Sequence, residues 1–123
     1  MPNYIDGFTL PIPRKHLKEY QQVVESVSKI WKEHGALAYY EYVSDDIKLE
    51  GTRSFSELLG TSEEEATIFG WVVFDSKEAR DQANNKVAQD PRMADLIKPL
   101  LDPENTIFNA GRMAYGAFRP IVG

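Results

Sequence analysis

The groups in this sequence able to move a proton or hold an anion are few: two strand carboxylates, one strand arginine, two histidines and the tetrapeptide DPRM at 90–93. Glu41 stands among aromatic residues in YYEYV and shares a face with Leu37, Tyr39 and Val43. A carboxylate there needs a partner or has a raised pKa. A salt bridge to Arg112 or another basic residue is one reading, and a general acid or base is the other. Asp6 raises the same question on the face shared by Tyr4, Phe8 and Leu10. Asp6, Glu41 and Arg112 would then make either a dimer-interface network or the polar end of a pocket.

DPRM has a structural reading that comes first. Asp90 precedes Pro91, a residue favoured at the first helical position, so its carboxylate caps the next helix by accepting from free backbone N–H groups. Arg92 in that first turn opposes the helix dipole, so it should reach an acidic partner, with an anion site as the alternative. His16 and His34 are the only histidines and lack metal-ligand spacing, so no metal is expected. His34 before Gly35 suits a helix C-terminus, where the dipole favours its proton; the competing role is a general base at the sheet edge. Trp71, Phe69, Tyr39 and Tyr115 read as core or interface aromatics before they read as ligand platforms. Asn84 flanks a stripe of small residues, from which its amide either meets solvent or faces a sheet. No Ser-His-Asp order, phosphate loop or dinucleotide fingerprint occurs, so no cofactor or nucleotide is expected.

The elements that position these groups follow from pattern. Residues 4–10 are β-prone and end at Pro11 and Pro13. Over 15–34, Leu17, Tyr20, Val24, Val27 and Trp31 form one helical stripe, closed by Gly35. Residues 36–43 make a second strand, and 44–65 a loop with a short helical turn near 56–59. Residues 66–74, ATIFGWVVF, make a third strand that feeds a helix started by Asp75 and Glu78 and running to about Gln89. Ala79, Ala83 and Val87 give that helix a narrow small-residue stripe. A further short helix spans 91–101, and RMAYGAF, 112–118, is a fourth strand.

The resulting order, β-α-β-β-α-β with an extra helix, is the α+β ferredoxin-like split βαβ: an antiparallel sheet with its two main helices on one face. The chain of 123 residues is the length of one domain, so 1–123 is read as a single unit. The third strand is apolar on both faces, although helices cover only one. Since a buried large apolar side chain contributes roughly 1.5–3 kcal/mol, a wet sheet face would forfeit several such terms. A twofold homodimer with sheets packed face to face, a dimeric α+β barrel, resolves this.

Composition narrows the partners. Hydrophobic residues at 42% and charged residues at 27% are ordinary for a globular chain. Fourteen Lys and Arg against nineteen Asp and Glu leave a formal charge of -5, which argues against nucleic acid. The absence of Cys, of a signal-peptide pattern and of any apolar run of membrane-spanning length points to a soluble cytoplasmic protein.

YIDGF, WVVFDSKEARD, DPRM and RMAYGAF, in this order over most of the chain, resemble the bacterial YbaA-like family, a domain-of-unknown-function family. That family is similar to the dimeric α+β-barrel superfamily, which includes cofactor-free monooxygenases, isomerases, haem-handling enzymes and proteins without known chemistry. The resemblance implies the fold and the dimer rather than an activity. This chain departs from it at Asn109, Ala110 and Gly111, where relatives tend to carry an acid and glycine before the basic-Met pair. Two functions stand side by side. One is a homodimer that binds a small hydrophobic or aromatic metabolite without catalysis, with Asp6, Trp71, Asn84, Arg112 and Tyr115 as ligand-binding candidates. The other, implied by the superfamily resemblance, is a cofactor-independent monooxygenase or isomerase using Glu41 or His34 for proton transfer. A closed, polar-tipped cavity between sheet and helices favours the enzyme, and a filled core favours the binder.

Overall fold

The computed structural model describes residues 3–123. Four strands, β1 (Tyr4–Pro13), β2 (Ala38–Val43), β3 (Glu65–Phe74) and β4 (Ala114–Phe118), form one antiparallel sheet in the order β2-β3-β1-β4. The helices are α1 (Leu17–Glu33), α2 (Phe55–Leu59), α3 (Lys77–Gln89) and α4 (Pro91–Ile97). This is the ferredoxin-like split βαβ, with α4 and a following 3-10 turn as the extra helical segment.

Local chemistry sets the helix ends. The stripe on α1 buries Tyr20 and Val27, and the helix stops at Gly35, whose φ of 115° is open to glycine. Ala36 N–H donates to the Trp31 carbonyl and Gly35 N–H to that of Lys32, which is a Schellman closure. Ser54 and Glu57 form a reciprocal capping box on α2. Ser76, not Asp75, caps α3 by accepting from Ala79 N–H at 3.0 Å. The position third after Ser76 is Ala79, so the Asp75–Glu78 pairing expected from sequence is one residue out of phase. Asp90 caps α4 as expected, accepting from Arg92 N–H at 3.0 Å.

Four strand boundaries differ from the sequence reading: β2 starts at Ala38 rather than 36, β3 at Glu65 rather than 66, and the end of β1 and the start of β4 differ for structural reasons. β1 does not end before Pro11 but runs through both prolines to Pro13. Arg14 N–H donates to Glu64 O, so residues of the same parity, Leu10 and Ile12, direct their backbone groups to β3. Pro11 and Pro13 therefore face the other side, beyond the Thr9–Ala114 pair where β4 pairing stops, and no ladder bond is lost. β4 begins at Ala114 rather than Arg112 because Ala110–Arg112 is a 3-10 turn. Asn109 caps that turn by accepting from Gly111 N–H, so an amide does the local work open to an acid there.

On the helix-facing side the core is divided. One cluster holds Leu10, Ile12, Tyr20, Ile68, Leu100 and Ile107; the other holds Ala36, Val72, Phe74 and Ala83. Ala83 is fully buried, as a small-residue stripe pressed onto the sheet requires. Phe8 touches both clusters. It can do so because it lies opposite Gly70 in the register and its ring crosses the space a side chain would fill. A Cβ on Gly70 would stand 2.5 Å from Phe8 Cζ and 2.6 Å from the Tyr40 carbonyl oxygen. The carbonyl belongs to the sheet and has nowhere to go. Gly70→Ala should thus destabilise the fold by about 1–3 kcal/mol, measured by urea denaturation; an unchanged midpoint would contradict this packing.

Candidate functional site

Between the two core clusters lies a cavity of about 400 Å³. Its floor is the sheet, with Asp6, Phe8 and Leu10 from β1, Tyr39 and Glu41 from β2, Val72 from β3 and Tyr115 from β4. Its roof comes from Tyr20, Val24, Val27 and Trp31 of α1, Asn84 of α3, and Met93 and Ile97 of α4. The register explains the arrangement: Glu41, Gly70, Phe8 and Tyr115 are successive neighbours in one row across the sheet. A carboxylate thus arrives at one end of an aromatic floor, and at the other Tyr115 meets Asp6 from the next row.

Glu41 is held by two phenols. Tyr20 OH donates to Oε1 at 2.5 Å and Tyr39 OH to Oε2 at 2.6 Å. Among the described residues no ion pair includes Glu41. Burial raises its pKa, and the two phenol hydrogen bonds oppose that rise without cancelling it. Burial, followed by the charge of Glu41, also pushes both tyrosines well above the usual phenol range, so they stay protonated donors. A second, outer cavity of about 470 Å³ lies on the far side of the same three residues, between α1 and β2. Tyr20, Tyr39, Glu41 and Val24 line both spaces.

Asp6 is 5% exposed and satisfied differently. Its Oδ1 accepts from Arg80 Nη1 at 2.8 Å and from Tyr115 OH at 2.6 Å. Arg80 also donates to Tyr115 OH and Asp81, and its guanidinium lies over the Tyr4 ring. Burial and the bond to Asp6 push the Tyr115 hydroxyl up to about 12.

Of the residues singled out in the sequence, Asp6, Glu41, Asn84 and Tyr115 converge on the cavity, and Trp71, Arg112 and His34 do not. Trp71 stands on the opposite sheet face, its ring stacked on Tyr42 at 5.5 Å. Arg112 does not meet Glu41. It donates to Glu65 Oε2 at 2.6 Å and to the Gly60 carbonyl at 3.0 Å, because the 3-10 turn before β4 lies beside the end of the 44–65 loop. His34 is the C-cap of α1, and its Nε2 lies 2.8 Å from Asp90 Oδ2. Arg92 joins this group through Asp90 and Glu33, the acidic partners its position called for. Tyr20 and Arg80 were missed. Tyr20 carried a signal, as the one hydroxyl on the α1 stripe; Arg80 carried none, since its partner is 74 residues away. Among the described residues no cluster of three or more His, Cys, Asp or Glu could hold a metal, and no helix is long and apolar enough to cross a membrane.

Strand order, antiparallel register and helices on one face define a ferredoxin-like α+β protein. The solved structures agree: a NIPSNAP family protein of unknown function from Agrobacterium tumefaciens superposes with a TM-score of 0.57 at 16% identity, covering 96% of this chain and 87% of that one. A dimeric ferredoxin-like protein from an uncultured marine organism gives 0.51 at 12% identity, covering 99% and 96%. Within that fold the chain belongs to the family described as "Protein of unknown function (DUF1428)", which it matches over residues 3–103. It is 32% identical over 119 residues to the uncharacterized protein YbaA of Escherichia coli K12, covering 97% of each chain, and equally to that of Shigella flexneri.

The Glu41 network has a pH signature. Its folded pKa lies above the unfolded one, so its contribution to stability is full below the usual glutamate range and is lost as pH rises through the raised value. Glu41→Gln should remove that slope. At neutral pH it should shift stability by less than about 1.5 kcal/mol, since one lost acceptor, worth about 1 kcal/mol, is offset by relief of a half-buried charge. Combined with Arg112→Gln, the effects should add within about 0.5 kcal/mol. Denaturation of the single and double variants across pH measures both, and a coupling well above that figure would return Arg112 to Glu41.

Proposed function

We propose that this chain is a cytoplasmic homodimer, one domain per subunit, that binds a small hydrophobic or aromatic molecule in the cavity between sheet and helices. The observation carrying this is the divided core: a mainly apolar space of about 400 Å³ with polar groups at its ends, the form expected of a small-molecule site. A chain without cysteine suits a reducing compartment. A second reading, a cofactor-independent monooxygenase or isomerase, is favoured by the raised proton affinity of Glu41 at the cavity wall, where it would act as the proton-transfer group. The unfilled core with polar tips is also the feature expected from the sequence to favour this reading over the binder, whose mark is a filled core.

The dimer rests on the other sheet face. Tyr40, Tyr42 and Phe69 are exposed there and pack with Trp71 into a ridge over β2 and β3. Over β1 and β4 the same face sinks into a trough of about 610 Å³ where Gly7 lies opposite Gly116. A twofold axis would seat the ridge of each subunit in the trough of the other, which is the self-complementarity an isologous interface needs. The marine neighbour is described as dimeric.

For the ligand, a thermal-shift screen of small aromatic metabolites should find compounds that raise the melting temperature, saturation at 100 times Kd giving about 2.7 kcal/mol. Val27→Phe, which fills this cavity from α1 and does not line the outer one, should abolish the shift; a shift indifferent to that change would place the ligand elsewhere. For the dimer, sedimentation should show Trp71→Asp to be a folded monomer, whereas Val72→Asp, on the buried face, should not fold. A stable wild-type monomer at micromolar concentration would remove the interface.

A further inference from the structure

We propose that the molecule taken by the cavity is a protonated amine on a small apolar or aromatic body, its ammonium group seated against Glu41 between the Tyr20 and Tyr39 rings. This rests on reading the cavity as a ligand site, and it adds the charge and hydrogen-bonding character of the ligand.

The hydroxyl protons around the cavity are already committed. Tyr20 and Tyr39 donate theirs to Glu41, and Tyr115 donates to Asp6. A phenol has one proton, so what remains for a ligand at these three groups is lone pairs. Each Glu41 oxygen also keeps an acceptor position after receiving one phenol. The Glu41 end of the cavity is therefore a surface of acceptors. A ligand carboxylate, keto group or phosphate would meet lone pairs with lone pairs, whereas a donor meets a partner in every direction.

Charge narrows the donor to a cation. Asp6 is balanced by Arg80 at 2.8 Å, but Glu41 has only neutral phenols. A carboxylate drawn part-way out of water without a counter-charge is costly, and that cost is relieved when a cation arrives. Among the described residues the one cation near the floor, Arg80, is occupied by Asp6, Asp81 and Tyr115. Tyr20, Tyr39 and Phe8 line the cavity together with Glu41, so an ammonium group there lies among aromatic side chains, which favour it once water is displaced. The Trp31 indole N–H is no competitor for Glu41: Trp31 lies eleven residues beyond Tyr20 on α1, roughly 16 Å along the axis, and packs edge-on against Phe74 at the other core cluster. Asn84 reaches the cavity from α3 and is left to contact the ligand body or a second polar group.

The test is a calorimetric comparison of three probes of nearly one shape: 2-phenylethylamine, neutral 2-phenylethanol and anionic 3-phenylpropanoate. The amine should bind about tenfold or more tighter than the alcohol, with the anion weakest, because only the amine neutralises the half-buried carboxylate. Glu41→Gln should erase the preference for the amine while leaving alcohol binding in place. Tyr20→Phe, which keeps both the ring and the carboxylate, should retain the preference. Alcohol or anion binding as tightly as the amine to wild type would overturn the inference and leave the cavity reading standing. No binding by any of the three would overturn both. The wild-type series decides the matter by itself if Glu41→Gln does not fold.

Discussion

Phe8 lying across Gly70 is the contact on which the rest of this structure depends. A side chain at position 70 would fill the middle of the helix-facing sheet, join the two core clusters and leave α1 nothing to span. With glycine there, Phe8 becomes the floor of a gap, and the clusters pack at either side of it. The register then delivers Glu41 and Tyr115 to opposite ends of the same row. Cavity and aromatic floor thus sit over the one position of that row without a side chain.

The two acids of the cavity, Asp6 buried and Glu41 half-buried, show two solutions to the same electrostatic problem. Asp6 takes a guanidinium and a phenol, and that arrangement ties β1 to α3 and β4. Glu41 takes two phenols and no cation, which satisfies its hydrogen bonds but not its charge. The first is complete as it stands and reads as architecture. The second is stable enough to fold yet retains a demand that a partner can meet, which is how a binding site differs from a structural ion pair. The His34–Asp90–Arg92–Glu33 group, by contrast, joins the end of α1 to the start of α4 and is satisfied within itself.

What was legible in the sequence was whatever is written locally. The α1 stripe, the Gly35 stop, the Asp90 cap with Pro91, the apolar third strand and the β-α-β-β-α-β order all follow from spacing of a few residues. The carboxylates of the candidate site were legible too, because an acid between strand aromatics has few comfortable places to go. Partners were not. Arg112 bonds Glu65 across 47 residues and Arg80 bonds Asp6 across 74, distances over which only the tertiary register decides. The strand prolines misled because their cost depends on which edge they face, and β4 ends just before it would have met them. Ser76 replaced Asp75 as a cap because a one-residue phase at a strand end is set by where β3 pairing stops.

The central claim is that both phenol protons rest on a Glu41 carboxylate that lacks a cation. A carbon-13 NMR titration of the glutamate side-chain carboxyls, with the tyrosine hydroxyl protons followed in the same samples, tests it directly. The account predicts one glutamate, assigned by its loss in Glu41→Gln, titrating above the usual range. It also predicts slowly exchanging hydroxyl protons on Tyr20 and Tyr39 while that carboxylate is ionised. A Glu41 that titrates at or below the ordinary glutamate value, with both hydroxyl protons exchanging freely, would contradict it.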